Sequence, residues 1–378
     1  MNILYIGAIN SVHDYKWVNY FSNKSDINVF FVDGSNSIIT DNNFSNNKNI
    51  IVLNSISLFS IFNIFSTIKS LIKLRQYIKI YKIDIVHIMF ATPYCLWAPF
   101  INCKKVLTTR GSDVLKVIPS LKKGSLKERV LFKLFKYAFS KFDIITSTSE
   151  IQKQSIISNF NLNKDIYIIN TGVDIEAIEN IDIKDFINPI LTNKNIIFFP
   201  RYFEPIYNHE LELEAIKLLD KSIFNKYFFV FIKGKKIEID YAKKIETSIK
   251  DIEGLNYIIY DFLSQKEMFA LYKQAKLTVM VPISDGTSVS AMESMASKCP
   301  LILGTVNYDE SIFSDCCFKL KNNCATELAD LISTALIDYP EHYIGKAYDN
   351  IKKYGNREKE MGKIFEIYKM LMKTRITN

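Results

Sequence analysis

Short apolar runs rich in β-branched residues alternate along the chain with segments whose apolar residues recur at helical spacing. The first pattern indicates buried strands and the second indicates helices packed on one face. Strands are predicted at 2–6, 27–32, 50–53, 83–88, 104–108, 143–147 and 166–169, then at 195–199, 227–232, 256–260, 276–281, 300–303 and 317–320. Helices are predicted at 13–22, 60–81, 125–141 and 150–158, then at 208–220, 238–250, 264–275, 288–297, 324–337, 340–352 and 357–373. This alternation predicts an α/β protein with two doubly wound parallel-sheet (Rossmann-like) domains.

The polar stretch 176–194 is the best linker candidate, and 378 residues suffice for two domains. We therefore expect an N-terminal domain over 1–183 and a C-terminal domain over 184–356. The Asn- and Ser-rich piece 35–49 is expected to be a surface loop. In such proteins ligands bind beyond the carboxyl ends of the strands, here between the two domains.

Composition indicates a cytoplasmic globular protein, with 48% hydrophobic and 23% charged residues. The six cysteines show no paired metal-ligand spacing, which is typical of reduced thiols. The chain starts with a strand pattern rather than a signal peptide. No apolar run reaches the roughly 18–20 residues that span a bilayer.

The net charge of +8 is concentrated in the first half of the chain. Residues 1–185 hold 22 Lys/Arg and 15 Asp/Glu, whereas residues 186–378 hold 26 and 25. Two basic amphipathic patterns, 60–82 and 125–141, suit an anionic membrane surface, with peripheral binding at the inner face of the cytoplasmic membrane. A helix packed on its own sheet with a solvated basic face is the equal alternative. Nucleic acid is not expected, because aromatic and basic residues are not interleaved.

The stretch 282–302 reads as a strand end, a tight glycine turn and a helix start. Unpaired N–H groups at a helix start bind phosphate. Two carboxylates flank this start, Asp285 before the turn and Glu293 within the helix, and carboxylates accept hydrogen bonds from sugar hydroxyls. Such a place suits a sugar nucleotide. The alternative is a purely structural role, in which Ser and Thr only cap the helix and Glu293 only forms a salt bridge.

The segment Asp285-Gly286-x6-Glu293-x-Met295-Ala296, followed by Pro300, resembles the donor-site signature of retaining glycosyltransferases of family 4, which have the GT-B fold. The first acid is Asp here rather than the usual Glu, and Lys298 replaces a usual glycine. The resemblance implies two domains facing across a cleft, and it implies that the C-terminal helix, 357–378, packs back on the first domain.

Further residues after predicted strands are compatible with this family. Arg201 stands where the family has a diphosphate-binding arginine, with a solvated surface arginine as the alternative. Asn208 stands roughly where the family has a lysine, so Lys233 or Lys235 is the candidate replacement. Phe262 lies where family members hold the base, and burial is its equal alternative.

In the first domain, the signals are weaker. Gly7 is what remains of a glycine-rich donor loop, and His13 follows it. The segment Thr108–Asp113 resembles the family's His-Gly-Ser-Asp acceptor loop, with Arg110 in place of His. Asp113 either binds the acceptor or only caps a turn, and His87 either faces the cleft or is a satisfied structural residue.

The resemblance implies transfer of a hexose or N-acetylhexosamine from a UDP- or GDP-sugar to a glycan or lipid-linked acceptor, as in bacterial capsule, lipopolysaccharide or glycoconjugate synthesis. It also implies no cofactor and no essential metal. A sugar-nucleotide epimerase or hydrolase of the same fold, or a non-catalytic nucleotide-sugar-binding protein, are the alternatives. The expected catalytic residues are Asp285, Arg201 and Glu293; the donor contacts are Gly286, Thr287, Ser288, Val289, Phe262, Lys233 and Gly7; the acceptor contacts are His13, His87, Arg110, Gly111 and Asp113.

Overall fold

A computed structural model of the protein describes residues 1–35, 43–60, 63–162, 164–186, 188–234 and 238–373. The chain forms two compact units. The first comprises Met1–Thr171 and the chain from Lys359 onward, and the second comprises Gly172–Glu358. Part of the expected loop 35–49, the candidate Lys235 and the last five residues of the expected helix 357–378 lie outside the described residues.

The first unit is built on a seven-stranded parallel sheet with the order β3-β2-β1-β4-β5-β6-β7. The third strand in this order pairs Ile6 with Val32 on one side and with Ile88 on the other, so it is buried in the sheet. The strands are β1 (Asn2–Gly7), β2 (Asn28–Asp33), β3 (Ile50–Leu53), β4 (Ile85–Ile88), β5 (Lys104–Thr108), β6 (Ile144–Ser147) and β7 (Ile166–Ile168).

Helices cover both faces of this sheet. One face packs against Leu74, Trp97 and Phe135, and the opposite face packs against Trp17 and Phe21. The helices are α1 (Val12–Ser22), α2 (Asn43–Asn46), α3 (Ile64–Ile80), a 3-10 helix Tyr94–Phe100, a π turn Asp113–Val117, α4 (Ile118–Leu121), α5 (Leu126–Ser140) and α6 (Glu150–Phe160).

The second unit contains a six-stranded parallel sheet with the order β10-β9-β8-β11-β12-β13. Its strands are β8 (Asn195–Phe199), β9 (Tyr227–Ile232), β10 (Tyr257–Tyr260), β11 (Ala275–Met280), β12 (Leu301–Leu303) and β13 (Phe318–Lys319). Its helices are α7 (Ile175–Glu179), α8 (His209–Lys217), α9 (Lys221–Lys226), α10 (Ile239–Lys250), α11 (Gln265–Gln274), α12 (Val289–Ala296), α13 (Glu310–Phe313), α14 (Ala325–Ile337) and α15 (Glu341–Tyr354).

A last helix, α16 (Arg357–Lys373), begins in the second unit and continues in the first. From Met361 onward its apolar side packs on the face of the first sheet that holds Trp17 and Phe21. The buried residues of this side are Met361, Ile364, Ile367, Tyr368 and Leu371.

The segment after Thr171 packs with the second unit because its backbone pairs with the end of that unit. The Val173 N–H donates to the carbonyl of Gly355 at 2.7 Å, and the Arg357 N–H donates to the carbonyl of Val173 at 3.0 Å. Gly172 has a φ of +65°, and a side chain there would collide with the backbone of Arg357. The units therefore divide earlier in the chain than the expected boundary at 183/184.

The predicted fold class, two doubly wound parallel-sheet domains, is confirmed. Each predicted strand and each predicted helix overlaps an observed one, while short elements such as α2, α4, α7, α9 and α13 were not predicted. Across the described ranges, we find no helix whose length and apolar content would let it span a bilayer.

Candidate functional site

An ion pair between Arg201 and Asp285 lies at the carboxyl ends of two adjacent central strands. Arg201 follows β8 and Asp285 follows β11, and these strands pair directly in the sheet. The Arg201 Nη2 atom lies 3.0 Å from Asp285 Oδ2, and the side chains are only 11% and 14% exposed. Strand order thus brings together two charged residues that the sequence analysis identified separately.

The guanidinium of Arg201 also contacts an aromatic ring and a serine hydroxyl. Its carbon lies 4.0 Å from the ring centre of Tyr207, and its Nη1 donates to Ser290 Oγ at 3.4 Å. Burial lowers the pKa of Arg201, but Asp285 together with Tyr207, Tyr272 and Tyr308 outweighs that effect, so the pKa is raised. The buried Nε has no hydrogen-bond acceptor among the described residues. A guanidinium that is held in place and has an unpaired Nε–H group can donate a hydrogen bond to an anion.

The loop after β11 forms the helix start that the sequence predicted. The Gly286 N–H donates to Asp285 Oδ1 at 2.9 Å, and Ser288 caps α12 by accepting the Ala291 N–H at 3.4 Å. Thr287 precedes this cap and Val289 is the first residue of α12. Since Ser290 of the first helical turn bonds Arg201, the partly positive helix start and the guanidinium are neighbours.

Glu293, one turn further into α12, is 6% exposed. Its negative charge acts on Tyr202, Tyr272 and Arg357, whose pKa values respond to it. For both tyrosines burial is the larger cause, and burial and the carboxylate together raise the pKa. These phenols therefore remain neutral hydrogen-bond donors near neutral pH.

Three polar side chains beside this cluster were not predicted. Tyr272 on α11 and Tyr308 after β12 are buried, and their hydroxyls make no hydrogen bond to the described residues. Arg357 binds Asp174 through Nη1 at 3.4 Å, while its Nε and Nη2 have no acceptor in the described ranges. Burial lowers the pKa of Arg357, against the opposing effect of Asp174 and Glu293. Of these three residues, only Tyr272 could have been noticed in the sequence, because it lies on the apolar side of a predicted helix.

Other predicted donor residues lie after the neighbouring strands β9 and β10. Lys233 forms an ion pair with Glu246 at 2.5 Å, which raises the pKa of the lysine. Phe262 follows β10 and is 43% exposed. Asn208, at the position of the family's lysine, has a φ of 60° and donates through Nδ2 to the carbonyl of Val281 at 3.3 Å.

In the first unit, Gly7 and Arg110 are joined through a residue that was not predicted, Asp14. The carboxylate of Asp14 accepts the Ala8 N–H at 2.9 Å and lies 2.8 Å from Arg110 Nη2. A side chain at Gly7 would collide with this carboxylate. The Arg110 Nε also donates to the Met89 carbonyl at 3.1 Å. Arg110 therefore has an internal partner, and Gly7 makes room for that partner.

Asp113 organises the loop after β5. Its buried carboxylate accepts N–H groups of Ala91, Arg110, Gly111 and Val114 at 2.9–3.3 Å. Burial raises the pKa of Asp113, while these four hydrogen bonds act to lower it. The contacts match the structural alternative, in which Asp113 fixes the turn at Gly111 rather than contacting an acceptor.

His87 lies in the core rather than at a surface. Its Nδ1 is 2.5 Å from the Tyr368 hydroxyl and its Nε2 is 2.7 Å from Thr108 Oγ1. Burial, with a smaller effect from Arg110, lowers the pKa of His87 to about 3. The expectation that His87 contacts an acceptor is corrected accordingly: its ring has no exposed surface. His13, by contrast, is exposed near the start of α1.

Two protein families match the chain. Residues 2–149 match the family described as "Glycosyl transferase 4-like", and residues 180–358 match "Glycosyl transferases group 1". Among curated proteins, no sequence matches significantly.

Solved structures of similar fold include a glycosyltransferase from Rickettsia africae, with 16% identity, a TM-score of 0.76 and 98% coverage of both chains. Anabaena HepE in complex with UDP has 12% identity and a TM-score of 0.77, covering 98% of this chain and 100% of its own. The UDP-forming α,α-trehalose-phosphate synthase of Burkholderia xenovorans, in complex with glucose-6-phosphate, has 10% identity and a TM-score of 0.72, covering 97% and 99%.

Proposed function

Because both parts of the chain match glycosyltransferase families and the fold is GT-B, we propose that this protein transfers a sugar from a nucleoside diphosphate sugar to an acceptor. The observation that carries the proposal is the buried Arg201–Asp285 pair beside the start of α12. It combines a fixed cation and a helix start, which suit a diphosphate, with carboxylates that suit hydroxyl groups.

The proposed donor pose assigns each group a role. The free Nε of Arg201 and the N–H groups at the start of α12 bind the diphosphate and stabilise its growing charge as it leaves. Asp285 orients the sugar hydroxyls, and Glu293 accepts hydrogen bonds from the ribose. The buried phenols of Tyr272 and Tyr308 supply neutral donors to the same place.

Transfer is proposed to retain the anomeric configuration and to need neither cofactor nor metal. In this scheme the bond from the anomeric carbon to the phosphate oxygen breaks and a bond from the acceptor oxygen to that carbon forms on the same face. The departing phosphate takes the proton that the acceptor hydroxyl loses. Arg201 and the helix start then supply the electrostatic stabilisation that a cation would otherwise provide. Transfer in the presence of EDTA, with the product anomer assigned by NMR, tests both points.

UDP-sugars are the favoured donors, with GDP-sugars as the next choice, since structures of similar fold contain UDP or UDP-glucose. The transferred unit is proposed to be a hexose or an N-acetylhexosamine. The acceptor is proposed to be a glycan or a lipid-linked saccharide of a bacterial surface polymer, handled in the cytoplasm or at the inner face of its membrane. In the first unit, exposed His13 and the loop at Gly111 are the proposed acceptor contacts.

A thermal-shift screen against UDP, GDP, ADP and their common sugars tests the donor site. A ligand at about 100 times its dissociation constant adds about 2.7 kcal/mol to the free energy of unfolding. We expect one base to give this shift and Glu293→Ala to abolish most of it. The matched control is Glu253→Ala, which removes an exposed carboxylate of the same unit.

A transfer assay with the selected donor then tests the reaction. Release of nucleotide only when an acceptor saccharide is present supports a transferase. A shift without any turnover of donor would instead identify a non-catalytic binding protein. No shift with any nucleotide, in folded protein, would remove the donor site from residues 285–293.

A further inference from the structure

Helix α3 exposes a row of large apolar side chains on the first unit. Phe65 is 91% exposed, and Ile64, Ile68 and Ile72 are about half exposed. A surface helix normally turns such residues toward the core. In α3 the fully buried residues are only Ser70 and Leu74. The outer side of this helix therefore presents an apolar patch that the described residues leave uncovered.

An apolar groove of about 330 Å³ runs beside this row, between α3 and the 3-10 helix Tyr94–Phe100. Its walls are Phe59, Ile68, Leu71, Trp97 and Phe100, with Ser60, Ile64 and Thr67 at its margin. The indole N–H of Trp97 is buried and has no hydrogen-bond acceptor among the described residues. A groove of this kind suits a molecule that is apolar but carries an occasional acceptor.

Positive charge surrounds the patch. Residues 64–82 include five Lys/Arg and no Asp or Glu. Lys69, Arg75 and Lys79 are exposed, and Arg75 Nε lies 3.4 Å from the carbonyl of Phe100 at the edge of the groove. The partner that complements this surface is both apolar and anionic.

Helix α5 packs on the same face of the first sheet as α3. Leu126 and Val130 near its start are exposed, whereas Phe132, Phe135 and Phe139 are buried. The cause is that the helix packs through its second half, where Phe132, Phe135 and Phe139 reach the core. Exposed basic residues accompany the exposed apolar pair: Lys127, Arg129, Lys133 and Lys136.

We propose that the α3 surface, defined as Ile64, Phe65, Ile68, Ile72 and Phe100 with Lys69, Arg75 and Lys79, binds the surface of an anionic lipid bilayer. The apolar row enters the interface, the cations meet anionic headgroups, and the groove above Trp97 takes a segment of acyl chain. A second copy of the chain is disfavoured as the partner because two like-charged patches would face each other. The purpose of this binding rests on the proposed function, since lipid-linked acceptors lie at such a surface, but the binding itself needs no donor.

Vesicle flotation tests the apolar part of the surface. The protein is mixed with vesicles of phosphatidylcholine alone or with vesicles that also contain about one-third phosphatidylglycerol. We expect binding only to the anionic vesicles, and at least a roughly ten-fold loss of partitioning in Phe65→Ser/Ile68→Ser, since burial of these side chains drives insertion. The matched control is Ile239→Ser, which removes an apolar residue of the second unit that is 73% exposed.

A charge-matched pair tests the electrostatic part. Lys69→Gln/Lys79→Gln is expected to weaken partitioning roughly thirty-fold, from about 1 kcal/mol per cation near an anionic surface. Lys217→Gln/Lys250→Gln has the same net charge but removes exposed lysines of the second unit. Equal loss in both pairs would show non-specific attraction to the whole protein and would overturn the assignment to α3.

Tryptophan fluorescence tests the groove directly, because the chain has only two tryptophans. Trp97 lines the groove, whereas Trp17 is buried on the opposite face of the sheet, where it donates to Thr171 Oγ1 at 3.1 Å. Lipids with brominated acyl chains should quench the wild type, and this quenching should disappear in Trp97→Phe while flotation persists.

Several outcomes would overturn the proposal. They are no binding to anionic vesicles, unchanged binding by Phe65→Ser/Ile68→Ser, or a dimer that this variant dissociates. Nucleotide thermal shifts measured on the same variants separate the two proposals. If a variant keeps its nucleotide-induced thermal shift but no longer floats with vesicles, the change has affected the α3 surface alone. If the protein floats with vesicles but shows no thermal shift with any nucleotide, the proposed donor site fails and the α3 surface does not.

Discussion

Asn208 illustrates how a single backbone angle governs a residue choice in the candidate site. It adopts a left-handed conformation immediately before α8, and its side chain donates to the carbonyl of Val281. Asparagine tolerates this conformation better than residues with longer side chains. The left-handed backbone at this position therefore favours asparagine over lysine.

We expect Asn208→Lys to lower the free energy of unfolding by about 2 kcal/mol. Roughly 1 kcal/mol comes from left-handed backbone strain and the remainder from the lost bond to Val281. Asn193, an exposed residue with the same φ of 60°, provides the control, because Asn193→Lys carries the strain alone. Urea unfolding of both variants gives the difference. Equal losses would mean that the bond to Val281 contributes nothing.

The residues of the candidate site differ in how far sequence alone predicts them. Asp285 and Glu293 follow from the spacing around one turn and helix. The contact between Arg201 and Ser290 joins residues 89 positions apart, and it depends on β8 lying next to β11. Strand order is a tertiary property that no local pattern encodes, so Ser290 was missed as a partner of Arg201.

Helix α16 and strand β4 are joined by a buried hydrogen-bond chain. Tyr368 of the helix contacts His87 of the strand and Tyr5 of β1, and His87 continues the chain to Thr108 of β5. The sequence predicted that His87 lies on a strand, but the residue of α16 that contacts it, Tyr368, lies 281 positions later in the chain. The elements were thus predictable from periodicity, whereas the packing of α16 over β4 was only an implication of the family resemblance.

This buried histidine predicts a dependence of stability on pH. His87 has a folded-state pKa of about 3, below the value of about 6.5 in the unfolded chain, so acid favours the unfolded state. Its contribution is complete above pH 6.5 and is lost as pH falls toward 3. At pH 5 the loss is about 2 kcal/mol, from about 1.36 kcal/mol per pH unit.

Denaturant unfolding of wild type and His87→Gln between pH 8 and pH 5 measures this term. The variant is expected to be less stable at pH 8, because it loses hydrogen bonds, but to lose about 2 kcal/mol less on acidification. The value at pH 8 serves as the internal control for packing. Parallel curves for the two proteins would show that the pKa of His87 is the same in the folded and the unfolded state.

The molecule as a whole consists of two units, each with its own sheet and core, and the chain enters the second at Gly172 and returns to the first at Lys359. The residues of the proposed donor pose, from Arg201 to Tyr308, belong to the second unit. The first unit needs the chain after Glu358 to complete the core around Trp17 and Phe21.

A variant truncated after Glu358 is expected to separate the folding of the first unit from nucleotide binding by the second. The first unit should lose cooperative unfolding and bind a hydrophobic dye, because the apolar side of α16 no longer covers its core. The nucleotide-induced thermal shift should persist, because the donor residues lie in the other unit. A cooperative first unit in the shortened chain would show that α16 is dispensable for its folding.

The return of α16 to the first unit also sets an order of events during synthesis. A ribosome completes residues 172–358 before it adds Met361, Ile364, Ile367, Tyr368 and Leu371, which close the core begun by Trp17 and Phe21. Domains usually mature in the order in which they are translated. Here the second unit is complete first, and the first unit keeps part of one apolar sheet face uncovered until these residues are added, which makes it a natural client of chaperones.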